Sequence, residues 1–198
     1  MLAGATTPDA AMPLLNTADS YGVLTKAFHW IAAALFAFQL ASAPLMLTLG
    51  EHATAAGLSR DDWYNWHKTI GLVALAVALG RVAARRAGRL PDWAPVLSEF
   101  ERGLIHRLEK ALYVAMFLMP ISGAVFVMAG GYGIRFAGIY DLPNPLPRSE
   151  ALARMAEVLH LCGAVLLVGA LAGHLGVVLR HTLLLRDGLI RRMLPRRG

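Results

Sequence analysis

The chain has 198 residues, 57% of them hydrophobic and only 16% charged, with a formal charge of +6 and a positive mean hydropathy. A soluble domain averages about 25% charged residues, so this composition excludes an ordinary soluble globule and implies an integral membrane protein of one domain. Its basic balance accompanies no motif for reading RNA or DNA, so nucleic acid is excluded as a partner, and a single cysteine, Cys162, excludes a disulfide framework.

Met1 to Ser20 is polar, small and proline-containing, without a basic stretch followed by an apolar one. It does not read as a signal peptide and is expected as a loosely attached tail preceding a domain over residues 21–198. Four stretches then reach the roughly 20 apolar residues that a membrane-crossing helix needs. They run near Ala27 to Leu49, Trp66 to Arg85, Leu108 to Gly130 and Met155 to Leu179. Each must be helical, because lipid offers backbone groups no outside partner. The expected fold is all-α, an integral membrane four-helix bundle. Cys162, inside the fourth stretch, is expected as a small core residue. Pro120, followed by Ser122 and Gly123, is expected to kink the third helix.

The connections differ in charge. Arg81, Arg85, Arg86, Arg89, Arg102 and Arg107 cluster around the middle connection, Gly88 to Gly103, which holds Pro91, Trp93 and Pro95 and reads as a surface crossing. Arg180, Arg186, Arg191, Arg192, Arg196 and Arg197 follow the fourth span. The other two loops carry Glu51, Asp61, Asp62, Asp141 and Glu150 with fewer bases. By the positive-inside rule both termini and the middle connection are cytoplasmic. Trp63, Tyr64 and Trp66 at one boundary, and Tyr132 and Tyr140 near another, fit an aromatic belt. The loop after span three, rich in Gly and Pro, is expected to cap the outer mouth of the bundle.

This topology turns residue numbers into depths. His160 and His174 are fourteen positions apart on span four, about 21 Å of helix and almost four turns, so both look out from nearly the same side. His67 opens span two at the outer level, and His29 opens span one at the inner level. The histidines therefore pair as His67 with His160 outside and His29 with His174 inside. Ionisable groups inside membrane spans mark function by default. Two imidazoles per level suit the axial ligands of a haem, and two levels suit two haems. A transition-metal pathway would gather three or four ligands at one depth; a histidine-lined metal-ion transporter is the alternative of another class. With a single cysteine, no covalent Cys-x-x-Cys-His haem attachment is present.

Ala33, Gly71, Gly163, Ala164 and Ala170, one turn from the histidines, offer space for a flat macrocycle; small residues also occur at membrane helix interfaces generally. Arg81 lies on the face of His67 at the inner level, with Arg85 one turn beyond, placed for haem propionates or as ordinary inner anchors. Lys68 adjoins His67 for propionates or anion attraction, or simply snorkels. His181 suits a quinone carbonyl, replacement of His174 as ligand, or an interfacial surface. His106 has no partner by depth, and His52 is expected to be solvated.

Four separated segments, YGVLTKAFHW (Tyr21 to Trp30), NWHKTIG (Asn65 to Gly71), ALYVAMFLMPISG (Ala111 to Gly123) and DGLIRRMLPRR (Asp187 to Arg197), resemble the bacterial cytochrome b561 family. The spacing of His160 and His174 is similar to that family's. The resemblance implies a di-haem b cytochrome of the bacterial inner membrane, ligated at positions matching His29, His67, His160 and His174. It also implies an oxidoreductase that exchanges electrons between ubiquinone and a one-electron partner. One branch of the family that this sequence resembles oxidises superoxide at the periplasmic face and reduces ubiquinone. In that case Lys68, Arg60, Arg135 and Arg148 would steer the anion, and the quinone would lie near His181, Arg81 or Arg85. The chain departs from the family by carrying Glu109 where a second histidine often follows His106. A cytochrome anchor subunit serving a partner dehydrogenase is the other reading, and the lipid-facing surface leaves a homodimer open.

Overall fold

The computed structural model describes residues 13–194. Residues 1–12 of the expected tail, and Arg196 and Arg197 of the basic terminus, lie outside the described residues. Four long helices dominate: α1 (Val23–Thr48), α2 (Arg60–Ala87), α3 (Glu99–Ala129) and α4 (Glu150–Leu179). A π-helical turn, Arg180–Leu185, prolongs α4, and a 3-10 turn follows at Leu189–Arg192. Two short antiparallel hairpins sit in the connections at one end. β1 (Thr54–Ala55) pairs with β2 (Leu58–Ser59), and β3 (Arg135–Phe136) pairs with β4 (Tyr140–Asp141). We call this the hairpin end; the opposite, basic end carries the α2–α3 connection and both ends of the described chain.

Capping explains why the helices outrun the expected spans. Ser59 accepts from the Asp62 amide while Asp62 accepts from the Ser59 amide, and Ser98 and Glu101 do the same at α3. Each reciprocal pair satisfies two amides that a helix start otherwise leaves open. This corrects the reading of Gly88 to Gly103 as surface crossing throughout: its last residues, from Glu99, are already helix. α3 continues unbroken as helix through Pro120.

Three helices, α1, α3 and α4 with its extension, are long and apolar enough to cross a membrane. The four-span expectation is met for these three; α2 is the least apolar and carries Lys68, Arg81, Arg85 and Arg86. It packs between α1 and α3. The bundle centre is built from Ala32, Ala78 and Met116, with Phe36, Val77, Tyr113 and Phe117 around them. Outward faces remain apolar: Val165 of α4 is 76% exposed, and Leu161, Val168 and Leu175 accompany it. Such a surface suits lipid rather than water. Cys162 belongs to this exposed face and not to the core, correcting the expectation. Trp63 is likewise no belt residue, because it is buried against Phe38 with ring centroids 6.1 Å apart.

The packing of α4 is asymmetric. It lies against α3 and stands off from α1 and α2. Close approach to α3 depends on small residues: a Cβ on Gly163 would come within 2.8 Å of Met119 Sδ. At the basic end, the last part of the expected tail is tied down. Val23 and Leu24 amides donate to the Pro13 and Leu14 carbonyls, Asn16 Oδ1 accepts from the Gly22 amide at 2.9 Å, and the Asp92 amide donates to the Ala18 carbonyl at 2.8 Å. At the hairpin end the β3–β4 segment is pinned onto α2, because the Ala137 amide donates to Thr69 Oγ1 at 2.9 Å and Lys68 Nζ to the Gly133 carbonyl at 3.3 Å.

Candidate cofactor-binding site

The gap between α4 and the α1–α2 pair is bridged by imidazoles at two levels. Toward the hairpin end, the rings of His67 and His160 have centroids 6.4 Å apart and planes at 75°. Toward the basic end, those of His29 and His174 are 6.2 Å apart with planes at 56°. The structure thus brings the four histidines together in the two couples that helix rise suggests, and makes no cross-level pairing. An imidazole nitrogen binds a transition metal at about 2.0 Å and lies roughly 1.1 Å from its ring centroid, so two imidazoles sharing one axial metal have centroids about 6.2 Å apart. Both couples meet that separation.

At the hairpin-end pair the remaining ring nitrogens are already committed. His160 Nδ1 lies 2.9 Å from the Met119 carbonyl, which only accepts, so Nδ1 carries the proton and Nε2 keeps its lone pair. Ser122 Oγ, 3.2 Å from the same nitrogen, directs its own hydrogen to the Leu118 carbonyl at 2.5 Å. His67 Nδ1 lies 2.8 Å from Ser42 Oγ, whose hydroxyl donates to the Gln39 carbonyl at 3.1 Å. This division leaves Ser42 free to accept from His67. In metal sites such partners fix the tautomer and aim the other nitrogen at the metal. The donor set, the separation and the committed Nδ1 atoms together fit a bis-imidazole haem.

The Pro120–Gly123 stretch of α3 makes this possible. A Cβ at Gly123 would stand 3.0 Å from His160 Cε1 and 3.2 Å from Nδ1. Hence any larger residue at position 123 would push the ring back by a few tenths of an ångström. A Cβ at Gly71 would meet Gln39 Nε2, and one at Gly163 would meet Met119 and Leu118.

Around the basic-end pair, Arg81 lies within electrostatic reach of both His29 and His174, and its Nε donates to Tyr113 Oη at 3.3 Å. Arg85 is ion-paired with Glu109 and stacks 5.4 Å from the Tyr113 ring. Glu109 is thus the counter-ion of Arg85. His106 Nδ1 stands 4.0 Å from the same carboxylate.

His181 corrects its expectations. It is completely buried, and both nitrogens are occupied: Nδ1 by Asp187 Oδ2 at 2.5 Å, Nε2 by Glu101 Oε1 at 3.2 Å. Arg180 ion-pairs with the same Glu101. Neither nitrogen remains for a quinone carbonyl or for iron, and the residue is no surface histidine. It clamps the end of α4 to the start of α3. Sequence reasoning missed this clamp, although the Ser98-x-x-Glu101 cap that positions one carboxylate was legible. At the hairpin end Arg135 is bound bidentately by Asp141, at 2.9 and 3.0 Å, which removes it as a free steering cation. Among the described residues, no three His, Cys, Asp or Glu side chains are grouped to hold a bare metal ion.

Paired histidines at two levels of a helical membrane bundle fit the class of b-type cytochromes. The sequence profile of the prokaryotic cytochrome b561 family matches residues 20–196, so the chain belongs to that family. It is 30% identical over 189 residues to cytochrome b561 homolog 2 of Escherichia coli strain K12, covering 92% of this chain and 95% of that protein. It is 23% identical over 169 residues to cytochrome b561 homolog 1 of the same organism, covering 85% and 93% respectively. The protein is a membrane electron-transfer protein, and its family implies haem b.

Proposed function

We infer that the chain holds two b haems, one between His67 and His160 and one between His29 and His174. The observation carrying this is the pair of centroid separations, 6.4 and 6.2 Å, at two levels of one bundle. The two imidazoles of each pair would hold the haem iron, and the haem would supply a one-electron couple. The protein's part is to hold the rings, exclude water and set the local charge. Arg81 is the cation for the basic-end haem's propionates; Arg85, engaged by Glu109, backs the Tyr113 ring that Arg81 touches.

The reading extends to topology and substrates. α2 serves as the fourth span, with both termini in the cytoplasm of a bacterium and the chain in its inner membrane; the arginine-rich basic end supports this. Superoxide is the one-electron donor at the hairpin end, attracted by Lys68, Arg60 and Arg148. Ubiquinone is the acceptor near Arg81 at the basic end.

Haem content per chain tests the core of this. The wild type carries two, and His29→Ala, His67→Ala, His160→Ala and His174→Ala each fall toward one. Loss within a pair is equivalent: His29→Ala and His174→Ala remove the same spectral component, and His67→Ala and His160→Ala the other. A wild type with one haem, or a variant pair that removes different components, refutes the assignment.

A further inference from the structure

Resting on the two-haem reading, the structure separates its two sites by what surrounds the ligands rather than by the ligands themselves. At the hairpin end both imidazoles have an acceptor on Nδ1: Ser42 Oγ at 2.8 Å for His67, the Met119 carbonyl at 2.9 Å for His160. At the basic end, among the described residues, no ring nitrogen of His29 or His174 has a hydrogen-bond partner, and the positive charge of Arg81 lies nearby instead. A hydrogen bond from Nδ1–H to an acceptor makes the ligating nitrogen more electron-rich, which stabilises ferric over ferrous iron. A nearby cation does the reverse, because the ferrous centre carries one positive charge fewer.

We propose that Ser42, together with the Met119 carbonyl, is a positioning group that makes the hairpin-end haem the lower-potential centre of the pair. Arg81 makes the basic-end haem the higher. The resulting order favours passage of one electron from the hairpin end to the basic end, oxidising the first iron and reducing the second with no bond made or broken. Both hydroxyls that face the hairpin-end rings belong to this device. Ser42 is fully buried on α1 and Ser122 is buried on α3, and each directs its own hydrogen to a carbonyl of its helix. Each is thereby turned into an acceptor toward the histidine. A helix interior ordinarily gains little from a serine, so two buried ones aimed at the same ligand pair and none at the other is the asymmetry to explain.

The test is a spectrally resolved redox titration of the purified, haem-loaded protein. His67→Ala, which leaves only the basic-end haem, assigns the two midpoints. Ser42→Ala is expected to retain two haems, to raise the hairpin-end midpoint and to leave the other unmoved. Ser122→Ala, which spares the Met119 acceptor, is expected to raise the same midpoint by less. Arg81→Gln is expected to lower only the basic-end midpoint. If Ser42→Ala sheds haem, the midpoint shift in Ser122→Ala decides alone. Both serine variants fully loaded with unshifted midpoints overturn the proposal while leaving the two-haem reading intact. A hairpin-end midpoint already the higher of the two in wild type also overturns it. A wild type without two haems overturns both.

Discussion

Gly123→Ala perturbs the structure by one methyl group at the point where α3 meets His160. The added Cβ would lie 3.0 Å from Cε1 and 3.2 Å from Nδ1, inside the 3.4–4 Å of ordinary contact, so the ring must retreat by a few tenths of an ångström. Retreat lengthens the 2.9 Å bond to the Met119 carbonyl and misaims Nε2. Overpacking of this kind costs about 1–3 kcal/mol, partly masked by alanine's helix propensity, about 1 kcal/mol better than glycine. Gly169→Ala supplies the reference, because a Cβ there meets nothing within 4 Å. The propensity gain is common to the haem-free and haem-bound protein and drops out of haem affinity, so an overpacking cost of about 1–3 kcal/mol borne when His160 is held in place corresponds to roughly 5- to 150-fold in an equilibrium constant. Haem affinity of the hairpin-end site, measured by haem transfer to an acceptor from detergent-solubilised protein, should fall by about that factor in Gly123→Ala and stay unchanged in Gly169→Ala. Equal affinities in the two variants would refute the view that glycine at this position is what seats His160.

The Arg85–Glu109 pair is about one-third exposed on each side, whereas Arg89–Asp92 is 68% and 73% exposed. A double-mutant cycle with Gln and Ala should return about 1 kcal/mol of coupling for the first and close to zero for the second; similar values would show that burial of the first pair is immaterial. Asp187 accepts from His181 and from the Leu189 amide, which holds its carboxyl below the ordinary carboxylate value. Its contribution is therefore complete above the unfolded-state value and is lost only as pH falls through the lower folded-state one. Hydrogen-exchange protection factors across residues 180–192 should persist through the ordinary carboxylate range, collapse below it, and be low at every pH in Asp187→Asn; collapse at the ordinary value would contradict this. For the superoxide reading, Lys68→Glu should slow superoxide-driven haem reduction, and salt should slow the wild type more than the variant. Indifference to both removes steering.

Lengths and levels were legible in the chain, because apolar run length and the fixed rise of a helix are one-dimensional quantities. They put His67 level with His160 and His29 level with His174 without any knowledge of packing. The extra turns of α2 and α3 were legible too, in Ser59-x-x-Asp62 and Ser98-x-x-Glu101, and the span boundaries passed over them because hydropathy is blind to caps. Side-chain partners between helices were not legible. Which nitrogen of His160 is free depends on a carbonyl forty-one positions away, and the fate of His181 depends on a carboxylate eighty positions away. The direction a helix turns about its own axis, and the neighbour it then meets, are set by how whole surfaces interlock. That is why Cys162 and Trp63 changed places between core and surface, and why His181 became a buried clamp. Composition and spacing by themselves determined a membrane bundle with histidines at two levels; only the packed tertiary structure decided which atoms hold each imidazole, because azimuth and contact arise from all the helices together.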